Sequence, residues 1–331
     1  LDSREAKTTS EAGLDFETGM KGRAMPQKPA RKVIIDTDPG IDDAVAILLA
    51  LKSAEFDVIG VTTVAGNIGI ATTTRNAGRI LALEGRVDVP VIAGASGPLS
   101  RKGFDTADIH GNDGLGGVAF PDALAQPVAG DAVTWLRDTL ETAEAGTIDI
   151  LALGPLTNIA RLVTEHPEAA NLIGRVIAMG GAVYEPGNIG PRAEFNIAAD
   201  PEAAEIVFAA GLDMTLIPLD VTRKVRATRD DTAMLQASDV PAAVASGALI
   251  DAYFQSTTGG ESRPLHDPCV MLLALDEALF TCERLKLAVD TGTTRDAGAL
   301  TVSEDGAPVS VALKVESAAV LKLLYQRLSA D

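Results

Sequence analysis

The stretch Arg31–Leu51, RKVIIDTDPGIDDAVAILLAL, limits what this chain can fold into more than any other. Val33-Ile34-Ile35 is a short apolar run of the kind that forms a strand buried on both faces. Pro39-Gly40 breaks that run, and a helical pattern begins at Ile41. Between strand and helix stand four carboxylates within eight residues, Asp36, Asp38, Asp42 and Asp43. Ligands of open α/β sheets bind at the carboxyl ends of the strands, which is where these acids fall. Acids so crowded repel one another unless some are protonated or a cation lies among them. Asp42 and Asp43 could simply favour the helix N-terminus, where negative charge gains about 0.3–1 kcal/mol each. Asp36 and Asp38 have no such role, so the stretch points to a metal or acid/base site and not to capping alone.

Further along, strand-like and helix-like segments alternate. Phe56–Ala65 reads as a second strand ending at Gly66-Asn67, followed by a helix over Ile68–Glu84 and a short strand at Val89–Ala93. Gly94–Pro127 is rich in Gly, Pro and Asp without a period, as a long functional loop would be, and it carries His110 among glycines. That histidine is either a pocket residue or a solvent-exposed one. Val133–Ala145 is an amphipathic helix whose Trp135 suits packing. Thr147–Leu153 is another buried strand, after which Thr157 and Asn158 are placed to cap a helix. Arg175–Met179 repeats the pattern and ends in Gly180-Gly181, Asp200-Pro201-Glu202 starts a helix, and Asp213–Leu219 is one more strand closing on Asp220. Pro241–Thr257 and Cys269–Ala278 read as helices, Leu285–Asp290 with Ala299–Val315 as a small C-terminal β-hairpin, and Ser317–Leu328 as a closing helix. The alternation predicts a single α/β domain over residues 31–331, with a mostly parallel open sheet, Rossmann-like in its core and flanked by helices.

Composition narrows the partners. The 331 residues carry a formal net charge of −18, with a pI near 4.6, so a nucleic-acid polymer is a poor ligand, while small neutral molecules and cations remain open. Two cysteines, Cys269 and Cys282, are too few for a disulfide framework and suit a reducing, cytoplasmic setting; both read as small core hydrophobes. No apolar stretch is long enough to span a membrane. Residues 1–30 are polar, without the apolar segment of a secretory signal, and read as a tail with no part in the chemistry, either a non-native leader or an upstream translated segment.

Several predicted strand ends carry polar residues on one sheet edge: Asp36 and Asp38, Asn67, the Gly154-Pro155 break after Leu153, and Met179 before its glycine turn. Glu194-Phe195-Asn196 and His266-Asp267 add acids, amides and an imidazole from later loops. Such an oxygen-rich set suits a hard cation, Ca²⁺ or Mg²⁺, and not zinc.

These motifs resemble the nucleoside hydrolases of the inosine–uridine-preferring type. The likeness runs from Asp36-Thr37-Asp38-Pro39-Gly40-Ile41-Asp42-Asp43-Ala44 through Gly66-Asn67, Gly154-Pro155-Leu156-Thr157-Asn158, Met179-Gly180-Gly181 and Glu194-Phe195-Asn196 to His266-Asp267-Pro268. The resemblance implies cleavage of the N-glycosidic bond of ribonucleosides with a tightly held Ca²⁺, and self-association as a homodimer or homotetramer. By motif, Asp38 matches the general base, which also touches the metal. Asp43 and Asp267 match the other carboxylate ligands, and Leu153 matches a main-chain carbonyl ligand. Asp42, Asn67, Asn188, Glu194 and Asn196 match residues that hold ribose hydroxyls, Met179 one that lines the sugar pocket, His266 the proton donor to the leaving base, and His110 a second pocket histidine. The segment Ile250–Arg263 is expected to close over the base, with Tyr253 and Phe254 either contacting it or packing in the core.

Two other readings fit parts of the sequence. Asp36-Thr37-Asp38 after a buried strand also resembles the start of the haloacid-dehalogenase-like phosphatases, in which the first aspartate is the nucleophile and Mg²⁺ the cofactor. A nucleoside-binding protein without activity is the third reading, although Asp38, Asp43, Asp267 and His266 are all present.

Overall fold

The computed structural model describes residues 29–256 and 260–330; the polar tail up to residue 28, and Thr257 and Gly259 of the segment after the Pro241 helix, lie outside them. The described strands are β1 (Arg31–Thr37), β2 (Phe56–Thr63), β3 (Val91–Ala93), β4 (Ile148–Ala152), β5 (Val176–Met179), β6 (Met214–Ile217), β7 (Arg226–Thr228), β8 (Ser262–Pro264), β9 (Phe280–Val289), β10 (Leu300–Val302) and β11 (Ala307–Val315). Nine of them form one sheet in the order β3-β2-β1-β4-β5-β6-β11-β9-β10, and β7 and β8 make a separate antiparallel pair.

The apolar run in β1 behaves as its composition requires. Val33 and Ile35 join the core on one face of the sheet, and Ile34 joins the core on the other. The first core is completed by the helices Ile41–Leu51, Pro241–Ser256, Pro268–Leu275 and Ser317–Leu328, the second by Ala132–Thr142, Thr157–Glu165 and Pro201–Ala209. The helix Ile41–Leu51 is buried at every position from Ile41 to Ala50, which is why its sequence beyond Asp42 and Asp43 is apolar around its whole circumference. Trp135 packs as expected: it lies over Gly60 of β2, where a Cβ would overlap the indole ring.

β1 pairs in parallel with β2 on one side and β4 on the other, so the chain order reverses direction at β1. That reversal opens a crevice at the carboxyl ends of β1 and β4, the usual ligand position in such sheets. Asp38, Leu153 and Met179 lie at or just beyond the ends of β1, β4 and β5.

Two expectations are corrected and one is extended. The C-terminal strands pair antiparallel as a hairpin should, with β9 between β10 and β11, and β11 pairs in parallel with β6, so all three also extend the main sheet. Thr157 and Asn158 do not cap their helix. Thr157 donates its hydroxyl to Asp200 (2.7 Å), and Asn158 donates to Asp36 Oδ2 (2.8 Å) and to the Thr63 carbonyl (3.0 Å). The helix expected to reach Ala278 ends at Leu275 and is followed by a short 3₁₀ turn, Glu277–Leu279, opened by Asp276. The helix Arg229–Gln236 and the β7–β8 pair had no legible pattern.

Candidate active site

The turn after β1 is built by hydrogen bonds from its own neighbours. Asp43, in the first turn of the following helix, accepts the Gly40 N–H (2.9 Å), the Thr37 hydroxyl (2.6 Å) and the Asn67 amide (3.0 Å). It is therefore a capping carboxylate and also part of a larger acidic group. Asp42, Asp43 and Asp267 are all buried, and each can offer an oxygen such that the three lie within 4.8 Å of one another. Asp38 is fully buried beside them; Oδ2 accepts the Asn67 backbone N–H (2.6 Å), and Oδ1 has no hydrogen-bond partner among the described residues. Burial pushes the carboxyls of Asp38, Asp43 and Asp267 above their ordinary range. Repulsion adds to the shift, from Asp43 on Asp38, from Asp42 on Asp43, and from Asp42, Asp43 and Asp38 on Asp267.

Such a cluster fits a hard divalent cation. The donors are all oxygen, three carboxylates approach within coordinating reach, and the orphaned oxygen of Asp38 is a fourth candidate. Among the described residues, no lysine or arginine lines the cleft above them. The carbonyl of Leu153, expected as a main-chain ligand, accepts the Asn196 amide at 2.6 Å.

The cleft brings together the expected substrate residues Asp42, Asn67, His110, Met179, Asn188, Glu194 and Asn196, with Leu153, His266 and Asp267. Several are tied to the protein as well. Asn67 accepts the Thr106 hydroxyl (3.0 Å) while donating to Asp43 and to the Asp38 carbonyl. Glu194 receives three backbone N–H groups, from Gly181 (2.7 Å), Asn196 (2.9 Å) and Ile197 (3.2 Å), which fasten the turn after β5 to the helix Phe195–Ala199. Asn196 donates to the carbonyls of Leu153 and Met179 (3.2 Å), and Asn188 Oδ1 accepts the Phe195 N–H (2.9 Å). His110, buried and not solvent-exposed, accepts the Ile41 N–H on Nδ1 at 3.0 Å, at the start of the acid-bearing helix. Gly40 permits that approach, since a Cβ there would collide with the His110 ring and the Asn67 amide.

His266 is held through Nδ1 by the Thr222 hydroxyl at 2.7 Å. Burial lowers its imidazole below the ordinary value; Asp42 opposes the shift, and Arg223, Arg226 and His110 add to it. Tyr253 also lines the cleft, and the neighbouring Phe254 is a core residue, with the guanidinium carbons of Arg229 and Arg263 at 4.5 and 4.7 Å from its ring centre.

Asp36 does not belong to this group. It is fully buried in β1, accepts the Thr62 hydroxyl (2.5 Å) and the Asn158 amide on Oδ2, and does not line the cleft. Burial pushes its carboxyl up to about 6. Asp36 is enclosed in the sheet away from the cleft, and nothing in the site supports the phosphatase alternative. Sequence reading missed Thr106, Ile109 and Phe195 in the cleft wall, and Asp220, Thr222 and Arg223 behind it. The last three lie in the short helical segment that comes after β6, and nearness to a strand end is the one signal that marks them.

The sequence of the whole domain agrees with this geometry: the family model described as inosine-uridine preferring nucleoside hydrolase matches residues 33–322. The chain belongs to this nucleoside hydrolase family. It is 38% identical over 307 residues to the pyrimidine-specific ribonucleoside hydrolase RihA of Shewanella woodyi, covering 90% of this chain and 98% of that relative. It is 39% identical over 314 residues to probable uridine nucleosidase 2 of Arabidopsis thaliana, covering 90% and 97%. Among solved structures, the plant nucleoside hydrolase PpNRh1 superposes with a TM-score of 0.85 at 36% identity, over 92% of this chain and 100% of the other. As a nucleoside hydrolase the chain has the fold its motifs imply, one α/β domain with a large, mostly parallel sheet.

Proposed function

We propose that the protein hydrolyses the N-glycosidic bond of ribonucleosides to ribose and free base, with Asp38 as general base, His266 as proton donor, and Ca²⁺ held by Asp38, Asp43 and Asp267 with the Leu153 carbonyl. What supports the reading is the buried cluster of Asp42, Asp43 and Asp267 with the unpartnered Oδ1 of Asp38 beside it, Asp42 and Asp267 opening to the same cleft as a fixed histidine, in a member of this family. Ca²⁺ bound there would supply Lewis acidity toward sugar hydroxyls and water.

The chain's own groups account for the rest. Breaking the C1′–N bond builds oxocarbenium-like positive charge on the sugar, which the surrounding carboxylates stabilise. Asn188, Asn196, Glu194, Asp42 and Asn67 line the cleft where the ribose would sit, and hydrogen bonds to the backbone and to Asp43 fix the side chains of Asn188, Asn196, Glu194 and Asn67. Asp38 takes a proton from the water that attacks C1′, and the electron pair of the broken bond goes to the base, which His266 protonates through Nε2. Names of two relatives specify pyrimidine nucleosides, so uridine is the first substrate to try. Nucleoside salvage, a cytoplasmic setting and a homodimeric or homotetrameric state complete the proposal; light scattering tests the last.

The deciding assay is release of reducing sugar from a panel of purine and pyrimidine ribonucleosides and their 2′-deoxy analogues, with and without chelator. Ribosides are cleaved without added phosphate, deoxy analogues far more slowly, and chelator or Asp38→Ala abolishes turnover. Deoxy analogues cleaved as fast as ribosides, or full activity in the Asp38 variant, would overturn the reading.

A further inference from the structure

Behind the cleft lies the short helix Leu219–Thr222, which leaves β6 through Pro218 and is completed by Arg223. Three of its side chains reach two different walls of the site. Asp220, buried, accepts the backbone N–H groups of Val183 (2.9 Å) and Tyr184 (2.8 Å). Arg223 donates to the carbonyls of Pro186 (2.7 Å) and Gly187 (2.9 Å) and pairs with Glu185 (3.6 Å). Residues 183–187 are thus each held by this one helix, and the next residue is Asn188, whose side chain lines the cleft. Thr222, fully buried on the same helix, holds His266 Nδ1 at 2.7 Å.

We propose that the 219–223 segment is a positioning element for the reaction, with Thr222 aiming Nε2 of His266 at the departing base and the Asp220–Arg223 pair setting Asn188 against the sugar. A threonine hydroxyl both donates and accepts, so it satisfies Nδ1 whether or not that nitrogen carries a proton. With Nδ1 occupied in either state, Nε2 is the nitrogen that faces the cleft, and a ring flip that exchanged the two would cost the Thr222 bond. Without the hydroxyl, both orientations become available and the donor is out of place for part of the time. Arg223 acts at the other wall: its two carbonyl contacts fix the backbone just before Asn188, so its loss loosens the grip on the sugar while the Thr222 bond that orients the proton donor stays in place.

This inference rests on the hydrolase reading, and its test separates the two. Wild type, Thr222→Val, Thr222→Ser and Arg223→Ala are each assayed on uridine and on p-nitrophenyl β-D-ribofuranoside, whose phenolate leaves without being protonated. Thr222→Val lowers kcat on uridine by about 10- to 100-fold, part of what a general acid supplies. It leaves KM and the p-nitrophenyl reaction close to wild type, and Thr222→Ser restores uridine turnover. Arg223→Ala raises KM several-fold on both substrates with less effect on kcat. Retained p-nitrophenyl activity also shows that the variants are folded. Equal losses on both substrates in Thr222→Val, unchanged uridine turnover in it, or an unchanged KM in Arg223→Ala overturns the inference while the hydrolase reading stands. A wild type inert toward every riboside overturns both.

Discussion

Asp38 accepts the backbone N–H of Asn67 on Oδ2 at 2.6 Å, and this bond fixes the carboxylate so that its buried Oδ1 has no partner among the described residues. Two glycines allow it to lie there. A Cβ on Gly66 or on Gly154 would overlap the Asp38 carboxylate, and neither glycine has a positive φ, so alanine is excluded by space and not by backbone conformation. Gly66→Ala and Gly154→Ala should therefore lower kcat by about 100-fold, the scale of a 1 Å misplacement of a reacting group. The far-ultraviolet circular dichroism spectrum should stay that of the wild type. Wild-type kcat in both variants would show that Asp38 need not sit between them.

Removal of the cation has a signature independent of turnover. A ligand at 100 times its dissociation constant adds about 2.7 kcal/mol to stability. For a domain of this size that raises the thermal midpoint by roughly 5 °C. Ca²⁺ should raise the midpoint of the chelator-treated wild type accordingly, and Asp267→Asn should lose most of the response. A variant that responds to Ca²⁺ as the wild type does would remove Asp267 from the ligand set.

Away from the cleft, Asp149 at the start of β4 is buried and takes bonds from Arg31 Nε (2.9 Å) and Arg175 Nε (2.9 Å) and N (3.1 Å). Removing one partner of a buried ion pair costs about 3–5 kcal/mol, and the partial exposure of both arginines lowers this to about 1–3 kcal/mol. Asp149→Ala should lose that much in urea unfolding and keep its kcat, since residue 149 is at the strand end opposite the site.

Asp200 offers a test in pH. Burial raises its carboxyl above the ordinary range, opposed by bonds from the Thr157 hydroxyl and the N–H groups of Leu99 and Ala203. A raised folded pKa means that its stabilising contribution is complete below the unfolded value and is lost as pH rises through the folded one. Asp200→Asn removes that titration. Its destabilisation relative to wild type should be smaller at pH 7.5 than at pH 4, measured by urea unfolding at both; an equal or larger loss at pH 7.5 would contradict the sign.

How much of this was legible in the sequence depended on distance along the chain. The β1 strand, the buried helix after Pro39-Gly40 and the polar strand ends were readable because each is a local pattern of apolar and turn residues. The destinations of single side chains were not. Asn158 looks like a helix cap but reaches back to Oδ2 of Asp36 in β1, 122 positions earlier, an aspartate that had been read with the metal or acid/base stretch. The C-terminal strands alternate as a hairpin does, and nothing in their own residues reveals that β11 pairs with β6. Thr222 was invisible for the same reason, as its partner His266 is 44 positions away.

The sheet finishes at both rims in strands of three residues, β3 and β10, and an isolated bridge from Val128 to Ile92 lies along the first. β10 pairs only with Leu287–Val289, so the outer edge of β9 from Phe280 to Leu285 has no strand partner among the described residues, and the exposed Glu283 and Arg284 put charge along it, which discourages a foreign strand. At that rim it is charge, and not the shortness of the last strand, that stands against extending the hydrogen-bond ladder beyond one molecule.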